Sequence, residues 1–281
     1  MQKMSWKYYL LFTFPTLLAF LIAFLIPFLA GIYLSFTEFT AVTDAHWVGL
    51  SNYIRAFTED RDFLNALWFT VRFAVVSVVL INVIAFFLAV MLTRNVKGTN
   101  LFRTVFFMPN LIGGIILGYI WQLLINGILI NFGVDITFDA KYGFWGLVVL
   151  MNWQMVGYMM IIYIAGIQSI SPELVEAARI DGANTWQILG NVTIPMVMPA
   201  VTICTFLTVA NSFKLFDQNL ALTAGAPDRA SAMLALDIFT TFYGRNGYEG
   251  VGQAKAVVFF IIVAVIVLLQ LKLTRTREVE N

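Results

Sequence analysis

The sequence predicts an all-α, polytopic membrane protein with six transmembrane helices. Of its 281 residues, 60% are hydrophobic and 12% are charged, whereas soluble domains average about 45–50% and about 25%. Four long stretches carry no charged residue: Tyr8–Thr37, Phe73–Thr93, Thr104–Val134 and Tyr142–Pro172. Each is long enough for the roughly 20 residues that a helix needs to cross a bilayer. A soluble fold of this length cannot bury so much apolar surface, so we expect lipid to cover it.

The six predicted spans follow these stretches along the chain. The first apolar stretch is far longer than the core of a signal peptide, so we predict that it is retained as a helix. The last has a short uncharged core between Lys255 and Lys272, whose long side chains can reach the membrane surface. The predicted spans are Tyr8–Phe36, Leu67–Thr93, Thr104–Leu124, Gly143–Ile167, Ile194–Leu215 and Ala254–Leu271.

Positive charges in the connections predict which side of the membrane each one faces. Cytoplasmic segments are enriched in Lys and Arg, and these residues are densest in the N-terminal tail, the second and fourth connections and the C-terminal tail. Both termini are therefore predicted to be cytoplasmic. The denser group comprises Lys3, Lys7, Arg94, Lys97, Arg103, Arg179, Lys272, Arg275 and Arg277, and the sparser group comprises Arg55, Arg61, Lys141, Arg229 and Arg245.

The last external connection, Phe216–Gln253, contains a further predicted helix. Its apolar residues recur at roughly helical spacing, but Arg229, Asp237 and Arg245 make it a poor span, because each charge at mid-bilayer costs at least about 2.5 kcal/mol. An amphipathic helix lying at the outer surface fits better. The apolar residues are Met233, Leu236, Phe239, Phe242 and Tyr243.

Several kinds of chemistry have no support in these residues. The chain has no phosphate-binding loop of the Walker type, so we expect it not to bind ATP itself. Its one cysteine, Cys204, and its one histidine, His46, exclude a Cys-rich or His-rich metal site. A net charge of +1 gives no basic field for nucleic acid. We therefore expect no catalytic centre, no metal and no bound cofactor.

The connection between the fourth and fifth spans, residues 169–195, differs from the others. Ser171 is predicted to cap a helix that begins at the proline after it, and Gly182 permits the positive φ of a sharp reversal. A second short helix, Asn184–Leu189, follows, and Pro195 is predicted to start the fifth span. These features predict a helix–turn–helix knuckle projecting from the cytoplasmic face. A long loop folded on itself is the alternative that they leave open.

The same connection resembles the E-A-A-x-x-x-G-x(9)-I-x-L-P signature of bacterial ABC importer permeases. Three small residues, a carboxylate and a glycine recur at the spacing of that signature and in the same place between two spans. One departure is Ile194 directly before Pro195, where the signature has Leu, and both are branched apolar residues. The residues that carry the resemblance are Glu176, Ala177, Ala178, Asp181, Gly182, Ala183, Ile194, Pro195 and Pro199.

Two further segments are similar to the sugar branch of this family, specifically the maltose-type first permease subunit. The segment Phe107–Asn110 opens the predicted third span. The segment Thr223–Pro227 follows the fifth span, with Ala226 where that branch has a second glycine. Together with the six-span layout, the resemblance extends over most of the chain.

The resemblance implies both a fold and a role. It implies a type I ABC importer transmembrane domain over residues 1–281, in the plasma (inner) membrane of a bacterium. Such a permease forms half of the path for a sugar or oligosaccharide that an extracytoplasmic sugar-binding protein delivers. It pairs with a second, related permease, and two ATP-binding cassette ATPase subunits bind the ATP and Mg²⁺.

In that family the connection corresponding to residues 169–195 is a cytoplasmic coupling loop that docks on an ATPase subunit. Gly182 is then expected to set the turn of this loop. Small residues allow close docking, and carboxylates supply polar contacts. The small residues are Ala177, Ala178 and Ala183, and the carboxylates are those of Glu176 and Asp181.

Polar residues in the fourth and fifth spans are candidates for sugar contact, because such a site needs a few convergent polar groups in a concave, largely apolar pocket. Gln154 and Tyr158 share one face of the fourth span, four residues apart. The fifth span offers Thr208, Asn211 and Ser212 on one face. The resemblance favours Tyr158, Thr208 and Ser212 as contacts around a shared cavity. Gln154 and Asn211 are secondary candidates.

Ordinary hydrogen bonding between helices is the alternative for each of these candidates, since buried polar side chains often join membrane helices. It is the favoured interpretation for two other polar residues in the predicted spans, Asn82 and Gln122.

Two other classes of membrane protein fit the sequence less well. A self-sufficient secondary transporter needs an ionisable relay or broken helices at mid-bilayer, and the predicted spans contain no convincing carboxylate. A membrane-embedded enzyme needs a nucleophile with its base or a set of metal ligands, and the sequence offers neither.

Overall fold

The computed structural model describes residues 6–94 and 97–275. These residues form helices α1 to α14 and one two-stranded antiparallel sheet. Lys3 and Arg277, which contributed to the predicted orientation, lie outside the described residues. The helices are α1 (Trp6–Phe20), α2 (Ile26–Leu34), α3 (Ser51–Thr58), α4 (Arg61–Leu92), α5 (Thr99–Phe107), α6 (Gly114–Leu129), α7 (Ala140–Gln168), α8 (Pro172–Ile180), α9 (Thr185–Ile188), α10 (Ile194–Met196), α11 (Met198–Phe213), α12 (Asp217–Leu222), α13 (Leu234–Gly244) and α14 (Glu249–Arg275); the strands are β1 (Thr37–Glu38) and β2 (His46–Trp47).

Among the described residues, five helical segments are long and apolar enough to cross a membrane. Four of them fall on the first, second, fourth and sixth predicted spans, and these predictions are confirmed. The first segment is continuous because a π-helical turn joins α1 to α2. A bent pair of helical stretches, Thr185–Met196 and Met198–Phe213, forms a sixth candidate span if the two are counted as a single span. The five segments are Leu11–Leu34, Arg61–Leu92, Gly114–Phe132, Ala140–Gln168 and Glu249–Thr274.

The third span begins later than predicted. Instead of one helix from Thr104, the structure has the short helix α5, a 3₁₀ turn at Met108–Leu111 and then α6 from Gly114. Pro109 has no N–H with which to continue the hydrogen bonding of α5, and Ile112 leaves the turn in an extended conformation, with φ −84° and ψ 130°. The predicted boundary was wrong because the apolar run continues through this break.

The fifth span is bent. A helical stretch from Thr185 to Met196 meets α11 with a bend of 68°, and Val197 lies at the break. Pro199 explains the break, because it lacks the N–H that would bond to the carbonyl four residues earlier and its ring clashes with that carbonyl. Pro195 therefore precedes the bend, and the prediction that it starts the span was wrong.

The chain divides into two compact units. One comprises Met1–Phe63 and Ile238–Phe260, and the other comprises Leu64–Asp237 and Ile261–Asn281. The second unit contains the main hydrophobic core, to which α7 contributes many buried residues. Within this unit α7 contacts α5, α6 and α11. The single permease domain expected over residues 1–281 stays a prediction.

The packing of α7 against α5 depends on one glycine. A Cβ atom at Gly157 would overlap the backbone carbonyl of Phe106, so any larger residue would force the two helices apart. Small residues at helix interfaces serve this purpose in membrane proteins, where close van der Waals packing holds helices together.

The first unit contains a buried ionic cluster. Lys255 is fully buried and donates to Asp60 at 2.9 Å and to Thr241 at 2.8 Å. Arg245 contacts two carboxylates, at 2.9 Å from Asp60 and 3.1 Å from Asp62. The prediction that Lys255 reaches the membrane surface was wrong, because a buried carboxylate neutralises its charge inside the protein.

The helix predicted after the fifth span is present as α13. Asp237 in its first turn is fully buried, and the Arg229 guanidinium donates to its carboxylate at 2.5 Å. The charge that argued against a membrane span is thus paired within the second unit. Phe239 and Tyr243 in the same helix are 41% and 72% exposed, as expected for an amphipathic helix. Its position at the outer surface stays a prediction.

Asp60→Asn should destabilise the protein by about 3–5 kcal/mol, because it removes the charge of a buried carboxylate that the fully buried Lys255 contacts at 2.9 Å. Asp62→Asn is a matched control. Asp62 contacts the same Arg245 but is 32% exposed, and exposed ion pairs contribute about 0–1 kcal/mol. Thermal unfolding of the two purified variants measures the difference. Equal losses of stability would contradict the role assigned to the buried pair.

Candidate functional site

The 169–195 loop folds as two short helices around a glycine. At the end of α8, the Ala183 N–H donates to the Ala178 carbonyl at 2.9 Å and the Gly182 N–H to the Arg179 carbonyl at 3.1 Å. This pair of bonds is typical of a helix that reverses through a left-handed residue. Gly182 is that residue, with φ +83°. The predicted helix–turn–helix is confirmed, and its projection from the cytoplasmic face stays a prediction.

The caps of the two helices differ from the prediction. The Ser171 side chain makes no capping hydrogen bond to α8, so its predicted role was wrong. Pro172 has no N–H to be capped, and its fixed φ starts the helix. Asn184 caps α9 instead: its Oδ1 accepts from the Trp186 and Gln187 N–H groups at 3.0 Å, and its own N–H donates to Gln187 Oε1 at 2.8 Å. These reciprocal bonds fix the start of the second helix.

The knuckle exposes large apolar side chains on both sides of its glycine. Ile180 is 86% exposed and Trp186 is 74% exposed. Exposed apolar groups bordered by charge are typical of protein–protein contact surfaces. The residues that the resemblance singled out share this surface: Glu176, Ala177, Asp181 and Gly182 are exposed, and Ala178 and Ala183 are partly buried.

A polar cavity of about 160 Å³ in the second unit is a separate candidate site. Gln154 and Asn211, the secondary candidates for sugar contact, both line it. Gln218 Nε2 donates to Gln154 Oε1 at 2.9 Å, and Gln154 Nε2 donates to the Ile112 carbonyl at 3.4 Å. The cavity therefore collects amide groups from α7, α11 and α12. The remaining lining residues are Asn110, Met151, Met155, Lys214 and Leu215.

Three polar residues of this cavity, Asn110, Lys214 and Gln218, were not among the predicted contacts. A signal for two of them was present, because Asn211, Lys214 and Gln218 follow one another at steps of three and four residues. The predicted fifth span ended at Leu215, which left Gln218 in a loop. In the structure Gln218 lies in the first turn of α12, beside the end of α11.

The three primary candidates for sugar contact do not line the polar cavity. Thr208 and Ser212 are fully buried, and each hydroxyl donates to the carbonyl four residues earlier, at 2.7 Å to Cys204 and 2.8 Å to Thr208. Tyr158 is half-buried and packs against the Phe107 ring. A sugar contact by any of the three stays a prediction.

Asn82 and Gln122 join helices, as predicted. Asn82 Oδ1 accepts from the Tyr163 hydroxyl at 2.7 Å, and its Nδ2 lies 3.3 Å from the Thr208 hydroxyl. Gln122 Nε2 donates to the Leu222 carbonyl at 2.9 Å. The first set of bonds links α4 to α7 and α11, and the second links α6 to α12.

The sequence of residues 94–275 matches a family described as the binding-protein-dependent transport system inner membrane component. The chain belongs to this family. The matched region contains both the 169–195 loop and the residues that line the polar cavity. The resemblance inferred from the motifs of that loop is therefore confirmed.

Two relatives align over most of their length. The probable starch degradation products transport system permease protein AmyD of Thermoanaerobacterium thermosulfurigenes is 46% identical over 281 residues, covering 97% of this chain and 96% of the relative. The multiple sugar-binding transport system permease protein MsmF of Streptococcus mutans is 30% identical over 266 residues, covering 91% of each. The chain is thus a permease subunit of a transport system in the inner membrane.

A solved transporter shares the fold. In the crystal structure of a bacterial alginate ABC transporter in complex with an alginate pentasaccharide-bound periplasmic protein, one chain matches with a TM-score of 0.80 at 20% identity. The match covers 96% of this chain and 94% of that one. The predicted all-α fold of an ABC importer transmembrane subunit is confirmed.

Proposed function

We propose that the chain is a non-catalytic permease subunit of a bacterial ABC importer for a sugar or an oligosaccharide. The observation that carries the proposal is the knuckle of the 169–195 loop, which exposes Ile180 and Trp186 on either side of a left-handed glycine turn. The sequence has no Walker motif, so a transport subunit of this kind needs a partner that supplies energy. An exposed apolar knuckle is a suitable docking surface for such a partner.

In this proposal the 169–195 loop docks on an ATPase subunit. Ile180 and Trp186 enter a cleft of the partner, the small side chains of Ala177 and Ala183 let the two backbones approach, and the Asp181 carboxylate makes a polar contact at the rim. A second ATPase subunit serves a second, related permease. The ATPases bind the ATP and Mg²⁺, so this chain uses no cofactor of its own.

The proposed substrate class rests on two observations. Both relatives described above carry names that refer to starch degradation products or to multiple sugars. The amides of Gln154, Asn211 and Gln218 each offer donors and acceptors suited to sugar hydroxyls. The cavity of about 160 Å³ is smaller than the roughly 300–1,000 Å³ of ordinary ligand pockets. We infer that this chain supplies half of the path and the second permease supplies the other half.

The proposed orientation places both termini and the 169–195 loop in the cytoplasm, following the density of Lys and Arg in the connections. An extracytoplasmic sugar-binding protein then delivers its sugar to the opposite side of the membrane.

Reconstitution in liposomes tests the proposed function. The chain is assembled with the second permease and the ATPase that co-purify with it, and ATP hydrolysis is measured with and without the sugar-loaded binding protein. We expect the loaded binding protein to stimulate hydrolysis, and sugar uptake to continue after ion gradients are collapsed. Uptake that needs an ion gradient but no ATP would identify a secondary transporter instead.

Gly182→Val should weaken ATPase docking and sugar uptake together, because a β-branched residue resists the positive φ of this turn. Gly182→Asn is the matched control, since Asn adopts the left-handed conformation far more readily. Apart from residues 181–183, no heavy atom of the described part of the chain lies within 4 Å of the position that a Cβ would occupy at residue 182, so the two variants differ chiefly in backbone preference. The measurements are the ATPase retained per permease on purification and the rate of uptake. Wild-type values for Gly182→Val would remove the turn from the coupling mechanism.

Gln154→Ala and Asn211→Ala should reduce apparent sugar affinity about 5- to 150-fold, because a sugar hydroxyl that loses its hydrogen-bonding partner on binding costs about 1–3 kcal/mol. Thr208→Val and Ser212→Ala are controls, because both side chains are fully buried and neither lines the polar cavity. Their uptake per assembled complex should stay near that of the wild type. The concentration dependence of uptake and the yield of complex are measured for all four. If only the controls lose sugar affinity, the primary candidates Tyr158, Thr208 and Ser212 are favoured as the sugar contacts.

A further inference from the structure

A cavity of about 600 Å³ lies between α4 and α7 in the second unit. Its walls are mainly apolar and include Val71 and Val75 from α4 and Phe144 from α7. Two basic residues, Arg72 and Lys141, also line it. It shares no lining residue with the polar cavity or the 169–195 loop, so the proposed transport function does not account for it.

Each helix contributes one basic residue and one tryptophan to this cavity. Trp68 and Arg72 lie four residues apart on one face of α4, and Lys141 and Trp145 lie four residues apart on one face of α7. The two indoles are 60% and 56% exposed. Tryptophan is enriched at the boundary between hydrocarbon and water, where its ring lies among lipid headgroups.

The length of α4 places Arg72 at that boundary. Arg72 lies 20 residues before Leu92, where α4 ends. At 1.5 Å per residue this distance is about 30 Å, which equals the thickness of the hydrocarbon layer of a typical bilayer. Lys141 is the second residue of α7 and lies at the end of that helix. The two basic side chains therefore reach the cavity at the level of the headgroups.

The two basic residues differ in their surroundings. Across residues 6–94 and 97–275, the structure gives Arg72 no carboxylate partner, and its guanidinium lies 5.7 Å from the centre of the Trp68 ring. Lys141 Nζ lies 3.5 Å from the Asp139 carboxylate. A hydrogen bond from the backbone N–H of Lys141 holds the pKa of the Asp139 carboxyl below its ordinary value. This carboxylate therefore stays ionised and offsets the charge of the Lys141 side chain. Arg72 is thus the cation with charge to offer to a ligand.

We propose that this cavity binds one phospholipid with a net anionic headgroup, such as phosphatidylglycerol. The apolar walls hold an acyl chain, Trp145 flanks the glycerol region, and Arg72, bordered by Trp68 and assisted by Lys141, contacts the headgroup phosphate. The charge of the site complements this headgroup. In the proposed orientation the lipid belongs to the outer leaflet. The site does not depend on the role of the 169–195 loop, so it can be tested even if that role is wrong.

Native mass spectrometry of the purified transporter complex measures the lipid. Phosphatidylglycerol and phosphatidylcholine with identical acyl chains are titrated against the wild type, Arg72→Gln and Arg61→Gln. Arg61 begins the same helix, is exposed and does not line the cavity, so it controls for the loss of one positive charge. We expect the wild type to prefer phosphatidylglycerol by about 5-fold or more, Arg72→Gln to lose this preference and Arg61→Gln to retain it. Equal retention of the two lipids by the wild type, or a preference that survives Arg72→Gln, would overturn the proposal.

Fluorescence quenching locates the lipid. Phosphatidylglycerol with brominated acyl chains should quench part of the tryptophan emission, and the double variant Trp68→Phe, Trp145→Phe should remove much of that quenched part. Trp186→Phe, in the 169–195 loop, should leave it unchanged. If the second permease covers this face in the complex, Trp68 and Trp145 will escape quenching and the proposal fails. ATP hydrolysis measured on the same preparation tests the transport function separately.

Discussion

The interior of a bilayer offers no water to polar groups, and this constraint shapes the chain at every level. Backbone groups within the spans must bond to one another, so the spans are helices. Hydroxyl and amide side chains follow the same rule. Many of them donate a hydrogen bond to the carbonyl four residues earlier, which satisfies one donor of each side chain within its own helix. Examples are Thr70, Asn82, Asn152, Thr202, Thr208, Asn211 and Ser212.

The candidate sugar site lies where this helical pattern is interrupted. The break at Pro109 removes a helical donor, and Ile112 just beyond it is extended. The Ile112 carbonyl accepts from Gln154 across the gap, and Asn110 from the same break lines the polar cavity. A second interruption, between α11 and α12, brings Gln218 to the other side. These breaks bring the side chains of Asn110 and Gln218 to the wall of the polar cavity, where a ligand can contact them.

The sequence predicted features that depend on composition or on local geometry. Long uncharged runs located four spans, and Gly182 with its flanking residues predicted the turn that the structure shows. The sequence did not locate the helix breaks near Pro109 and Val197, because the apolar runs continue through them. Periodicity placed Ser212 on a helix face, but it could not show that the hydroxyl bonds to its own helix. The ion pair of Lys255 was missed because its partner is distant in sequence.

Protection of the knuckle by its partner tests the central claim most directly. Ile180→Cys places a thiol at a side chain that is 86% exposed, while the native Cys204 is buried. Inside-out vesicles are treated with a membrane-impermeant maleimide, with and without the ATPase subunit. We predict rapid labelling without the ATPase and strong protection with it, whereas Lys97→Cys, on a different connection, stays reactive in both. Equal labelling of Ile180→Cys in the two conditions would contradict the claim that this loop couples the permease to its energy source.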